Sequence, residues 1–310
     1  MSKTVLMFPG QASQYVGMAR DLHNNFEEVR NLYKLASDEL GEDIAKLSFE
    51  GPAEKLKQTR FTQPAILLHS LAVLTALKDN LPQFDYACGH SLGEYSALAA
   101  TGAMSFELAI KAVVKRASLM EQACLESPGG MAAIIGLTEE QVLEVCRKAS
   151  KNGVVVPANF NSKSQIVISG SVEAVKVAAE IAKSAGAKRA IILEVGGAFH
   201  SPLMEPAKSG MEQYLKDADI KSSAVPVVAN VTAKPVESSA EIKQLLVAQI
   251  TSPVKWSQTM SYLASNDCTH VIEIGPGKVL AGMAKREMSA EKITNLDTIK
   301  DIESLAAVSV

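Results

Sequence analysis

The apolar positions of this chain fall into two textures. Short continuous runs are closed by glycine or proline, and longer stretches return an apolar residue every three or four positions. The first texture reads as buried strand, the second as amphipathic helix. KTVLMFPG (3–10) is a strand stopped by Pro-Gly. Helices are predicted from about Gly17 and over 26–40. A further helix is placed near Pro64, because proline is tolerated in a first turn, and carries AILLHSLAVLTAL (65–77). FDYAC (84–88) reads as the next buried strand, and LGEYSALAA (92–100) is rich in helix formers. SFELAIKAVVKRASLMEQAC (105–124) opens on a serine at the cap position and runs with helical periodicity.

At SPGG (127–130) the order changes. MAAIIGL (131–137) is strand, TEEQVLEVCRKAS (138–150) a capped amphipathic helix, GVVVPANF and QIVISG two strands, 171–186 a helix, and AKRAIILEV (187–195) a strand. The order β-α-β-β-α-β is that of the ferredoxin-like split unit. A small inserted subdomain over 127–195 is therefore expected, flanked by a large α/β subdomain formed by 1–126 and 196–310. The later chain alternates again: a helix after PLM, VPVVANVTA (225–233) as strand, helices over 239–250 and 256–267, THVIEIGPG as strand, and KVLAGMAKREM as helix. Strands alternating with helices imply a mostly parallel sheet, whose site lies beyond the carboxyl ends of the strands. Pro9-Gly10, Gly89 and Gly275-Pro276-Gly277 are all predicted at such ends.

Composition narrows the function classes. A 310-residue chain that is 47% hydrophobic and 21% charged can bury a sizeable core. A net charge of −3 gives no general attraction to nucleic acid or anionic membrane. The four cysteines, Cys88, Cys124, Cys146 and Cys268, form no C-x-x-C pair, and a reduced, cytoplasmic protein is expected. The N-terminal apolar run is too short for a signal peptide, and 65–77 is too short and too polar to span a bilayer.

The candidate chemistry starts at CGHSLGEYS (88–96). Strand, Gly89-x-Ser91-x-Gly93, helix is the context of a nucleophile elbow. The turn lifts a serine to a helix N-terminus, where the N–H of Leu92 can stabilise an oxyanion. A serine hydroxyl needs a base. Of the five histidines, His23 and His69 fall in predicted helices, His270 begins a strand, and His90 adjoins the serine on a sharp turn and points away. His200, in the loop GGAFHSPLM, is the best candidate. The acids between 91 and 200 lie in helices or in the inserted block, and only Glu194 sits at a clean strand end. A standard acid partner is not evident, and a backbone carbonyl can orient the imidazole instead.

FPGQASQ (8–14), GHSLGEYSAL (89–98), KRASLMEQA (115–123), GGAFHSPLM (196–204), NVTA (230–233), QITSPVKW (249–256) and EIGPGKVL (273–280) together resemble the malonyl-CoA:acyl carrier protein transacylases of fatty-acid synthesis. The resemblance implies a hydrolase-like α/β subdomain with a ferredoxin-like insert. It implies Ser91 as the acylated nucleophile, His200 as the base and the Gln249 carbonyl as its orienter. It implies an oxyanion hole from the N–H groups of Leu92 and Gln11, and Arg116 as the partner of the malonyl carboxylate. In relatives the residues before the base go with the choice of acyl group, and AFH (198–200) leans toward malonyl over methylmalonyl. Ala12 departs from the pattern, since many relatives carry glycine there. The implied reaction moves malonyl from CoA to the phosphopantetheine thiol of acyl carrier protein, with no cofactor and no metal, in a protein expected to act as a monomer. The residues alone leave other readings open: a serine thioesterase or esterase, a trans-acting polyketide synthase acyltransferase, or a docking relative without activity. GPGK (275–278) lacks Walker spacing and reads as a turn and helix cap. Asn159 and Asn161 can line the cleft or stabilise turns, and Lys188 and Arg189 can contribute to a patch for an acidic carrier.

Overall fold

The structure, a computed structural model, describes residues 2–308. In chain order the strands are β1 (Lys3–Phe8), β2 (Tyr86–Gly89), β3 (Gly129–Ile135), β4 (Val155–Ser162), β5 (Gln165–Ser171), β6 (Arg189–Ile192), β7 (Val227–Val228), β8 (Pro235–Val236), β9 (Cys268–Ile274) and β10 (Lys292–Leu296). Six of them form one sheet in the order β10-β9-β1-β2-β7-β8, and four form a second in the order β4-β5-β3-β6. In the first sheet β1 pairs in parallel with β2 and β9, and β9 with β10, while β8 alone runs antiparallel, against β7. All neighbours in the second sheet are antiparallel, and two helices, Glu139–Ala149 and Val172–Ser184, pack on it. This is the mixed α/β architecture, parallel sheet plus ferredoxin-like insert, that the sequence predicts.

The centre of the parallel sheet is apolar on both faces, as a sheet covered by helices on both sides requires. Val5, Leu6, Met7 and Phe8 of β1 are all fully buried. The apolar run 65–77 lies in a helix, Thr59–Leu77, buried along nearly its whole length. That helix begins five residues before Pro64. Gln58 starts it, its carbonyl accepting from the N–H groups of Phe61 and Thr62, and Pro64 falls in the second turn, where it forfeits one backbone bond.

Two other expectations are corrected. The predicted strand 225–233 shrinks to Val227–Val228, because the chain turns back at once. The N–H of Ala233 donates to the Ala229 carbonyl at 2.8 Å, and Ala233 sits at φ 52°. Asn230 is thereby taken out of the sheet and placed over its edge. Second, β10 and the helix Ile299–Val308 were not predicted. KITNL (292–296) is short and only half-buried, and pairs as an edge strand on β9. A short β-bridge ties the insert to the loop before the helix Trp256–Ser265: Phe160 N–H donates to the Val254 carbonyl at 2.9 Å, and Val254 N–H to the Ala158 carbonyl at 2.8 Å. Among the described residues no helix is long and apolar enough to cross a membrane.

Candidate active site

The site is built at the carboxyl ends of β1 and β2. Ser91 follows β2 directly and holds φ 53°, a left-handed conformation that a non-glycine residue adopts only when its surroundings force it. The glycines on either side have a steric reason. A Cβ at Gly89 would lie 2.0 Å from the carbonyl of Gly93, and one at Gly93 would lie 2.1 Å from the Phe8 carbonyl oxygen. The turn closes on itself and against β1 with no room for a side chain. Beyond it, the helix Gly93–Ala100 starts with Leu92 at its cap position.

Ser91 Oγ lies 2.8 Å from His200 Nε2, although 109 positions separate them. His200 Nδ1 lies 2.9 Å from the backbone carbonyl of Gln249. A carbonyl only accepts, so Nδ1 carries the proton and Nε2 presents its lone pair to the serine hydroxyl. Gln249 is the last residue of the helix Ser239–Gln249. Terminal helix carbonyls have no partner inside the helix and carry its negative end, so this one is free to hold an imidazole N–H. His200 is buried. Burial first, then the nearby Arg116 charge, pull its pKa down to about 3, so the ring is a neutral base at physiological pH.

Arg116 projects from the helix Phe106–Glu126, whose start is capped by Ser105 accepting from Leu108 N–H. Its guanidinium is fully buried, while the neighbouring Lys115 is exposed. Nη2 donates to Ser91 Oγ at 3.1 Å and to Gln249 Oε1 at 2.9 Å, and Nη1 donates to Gln63 Oε1. Gln63 Nε2 reaches on to Gln11 Oε1 at 3.3 Å. Gln11 belongs to the loop after β1, where Ala12 holds φ 78°. So Ser91, His200, Gln249, Arg116 and the Gln11 loop all converge, and Leu92 lies at the helix end beside the serine.

Three contributors were not singled out from the sequence. Asn230 Oδ1 accepts the N–H of Ser91 at 2.7 Å, and its Nδ2 donates to the Gly89 carbonyl at 2.7 Å, so one side chain staples both sides of the elbow. Glu94, within the elbow motif itself, is buried and accepts from Asn230 N–H at 3.0 Å and Gln249 Nε2 at 2.9 Å. Gln63 positions Arg116. Asn230 stands in NVTA and Glu94 in GHSLGEYSAL, so both were inside quoted motifs; what hid them was the lack of any spacing that ties position 94 to 230 and 249. Glu194, the one acid at a clean strand end, is exposed on the cleft wall and gives His200 no carboxylate partner.

A cleft of about 460 Å³ opens over Ser91 and His200. One wall comes from the parallel-sheet side, including Gln11 and Phe199; the other comes from the insert, including Met131, Val167 and Leu193. Asn159 and Asn161 line it, and Asn161 Oδ1 meets His90 Nε2 at 2.9 Å, so this imidazole nitrogen is engaged with the insert. The GPG turn sits behind the Gln11 loop. Glu273 accepts from the N–H groups of Leu280 and Ala281 there, capping the next helix.

Fold and site together define a serine acyl-transfer protein of the α/β class, its histidine held by a carbonyl and a buried arginine at the serine. The sequence profile of the acyl transferase domain matches residues 5–305. The chain is 43% identical to the malonyl CoA-acyl carrier protein transacylase of Bacillus subtilis over 304 residues, 97% of this chain and 96% of that one. It superposes on the crystal structure of the acyl-carrier-protein S-malonyltransferase from Bartonella henselae with a TM-score of 0.94 at 37% identity, covering 99% of this chain and 100% of that one. A structure of a type II PKS acyl-carrier protein in complex with its malonyl-transacylase matches with a TM-score of 0.93 at 37% identity, covering 99% of this chain and 100% of that one. The chain belongs to the acyl transferase family, in its branch of malonyl CoA-acyl carrier protein transacylases.

Proposed function

We propose that the chain transfers a malonyl group from CoA to the phosphopantetheine thiol of acyl carrier protein, through an ester on Ser91. His200 Nε2 takes the Ser91 hydroxyl proton as Oγ attacks the thioester carbonyl. The N–H groups of Leu92 and Gln11 receive the oxyanion; loss of one such donor typically slows acyl transfer by about 10²–10³. Collapse expels the CoA sulfur, which takes the proton from His200. In the second half the carrier thiol gives its proton to His200, attacks the ester, and Ser91 recovers its proton. One base and one oxyanion hole serve both halves, so the kinetics are ping-pong.

The observation that carries the malonyl assignment is the buried guanidinium in hydrogen-bond contact with the serine oxygen. A malonyl ester on Ser91 places its free carboxylate two bonds from the ester carbon, within reach of Arg116, and a planar guanidinium suits a carboxylate better than an ammonium does. An esterase for neutral acyl groups has no use for this cation. The free cysteines support a reducing, cytoplasmic setting. Brief incubation with malonyl-CoA, followed by peptide mass spectrometry, tests the reading. The malonyl adduct is expected on Ser91, absent from Ser91→Ala, and discharged by holo-acyl carrier protein much faster than by water. An adduct that survives Ser91→Ala, or discharge to water at the carrier's rate, contradicts it.

A further inference from the structure

Arg116 is a buried cation whose hydrogen bonds end on neutral oxygens: Gln63 Oε1, Gln249 Oε1 and Ser91 Oγ. A buried charge without a counter-charge is costly. The compensating group stands one side chain away. The Gln249 amide accepts from Arg116 Nη2 at 2.9 Å through its oxygen, and donates to Glu94 Oε2 at 2.9 Å through its nitrogen. Glu94 is 2% exposed. The backbone N–H of Asn230 reaches the same Oε2 at 3.0 Å. Two donors converging on one carboxyl oxygen fit an anion.

The other titratable groups around Glu94 are neutral. Cys88 on β2 has its thiol pushed well up by burial, Tyr95 is a buried phenol likewise pushed up by burial, and His200 is held neutral. Arg116, from the facing helix, is the cation that offsets it.

We propose that Glu94 is the resting counter-charge of Arg116, coupled to it through the Gln249 amide, and that it takes a proton from solvent when a substrate carboxylate arrives on the guanidinium. The inference rests on the malonyl reading above. At rest the pocket holds one cation and one anion. With malonyl bound it holds the cation, the substrate anion and a neutral carboxylic acid, so its net charge is unchanged. Two carboxylates beside one guanidinium in a desolvated pocket do not both stay ionised. Burial already holds the Glu94 carboxyl up to about 7, so a second anion is enough to tip it near neutral pH. Glu94 thereby acts as a positioning residue that lets a diacid enter without leaving Arg116 uncompensated in its absence.

The test counts protons. Malonyl-CoA is titrated into Ser91→Ala, which excludes acylation, by calorimetry at pH 7.5 in two buffers of different ionisation heat. The expected uptake is more than about half a proton per site, with none for acetyl-CoA. Adding Glu94→Gln keeps both accepted bonds, because an amide oxygen can stand where Oε2 stands, and the uptake is expected to vanish. Should the double variant not fold, the malonyl-against-acetyl difference with native Glu94 decides alone. Malonyl-CoA binding without proton uptake, or uptake that survives Glu94→Gln, overturns the proposal. Failure of malonyl-CoA to bind overturns the substrate reading and takes this inference with it.

Discussion

Both members of the Ser91–His200 pair hold left-handed backbones, at φ 53° and 57°. Neither is a glycine, so each conformation costs about 1–2 kcal/mol, held in place by the Asn230 staple at the serine and the Gln249 carbonyl at the histidine. The lowered pKa of His200 has a direct consequence for rate. A base whose pKa falls from the ordinary 6.5 to about 3 keeps its neutral form as pH drops through the usual histidine range. We expect kcat/KM for malonyl-CoA to stay on its plateau below pH 6.5, since that ratio reports ionisations of the free enzyme. An acid limb centred at 6.5 would show that His200 is not the base or is not buried at rest. Position 91 was legible from its flanking glycines, and 200 from elimination among five histidines. The roles proposed for 11, 116 and 249 rest on the resemblance alone, because a glutamine carbonyl or a helix arginine carries no local mark of what it faces after folding.

The elements act as rulers for these residues. The helix Phe106–Glu126 carries Arg116 inward while Lys115 faces solvent, a consequence of helical pitch alone. The elbow is tighter still, because Gly93 lies against the Phe8 carbonyl where β1 ends. Gly93→Ala would press a methyl group on the backbone of Phe8 and Pro9, where the buried central strand has no room to withdraw. We expect a loss above about 3 kcal/mol in urea unfolding, beyond the ordinary range for point substitutions, together with loss of acylation. A variant of unchanged midpoint would mean the strand-to-helix junction is looser than drawn. Most helices and strands were predictable from period, and boundaries failed where tertiary contacts overrode local signals. Pro64 marks a first turn by its own preference, yet Gln58 starts the helix; VPVVANVTA has the composition of a strand, yet turns at Ala229–Ala233 so that Asn230 can reach the elbow.

At the scale of the molecule, two sheets of different construction meet over one cleft. The parallel sheet sets Ser91 and the Gln11 loop at its carboxyl edge, and the ferredoxin-like insert supplies the opposite wall through Met131, Asn161 and Leu193. Three side chains, from positions 63, 91 and 249, meet within hydrogen-bond distance of the one guanidinium of Arg116 only because the chain crosses that edge several times. The arrangement makes sense if the acyl group brings its own carboxylate. Single-turnover acylation of Ser91 in Arg116→Ala, with malonyl-CoA and acetyl-CoA compared side by side, tests this most directly. Malonyl transfer is expected to fall by about 10²–10³, the range for loss of a charge-bearing contact in a buried site, while acetyl transfer holds or rises. An unchanged ratio of the two rates would contradict it.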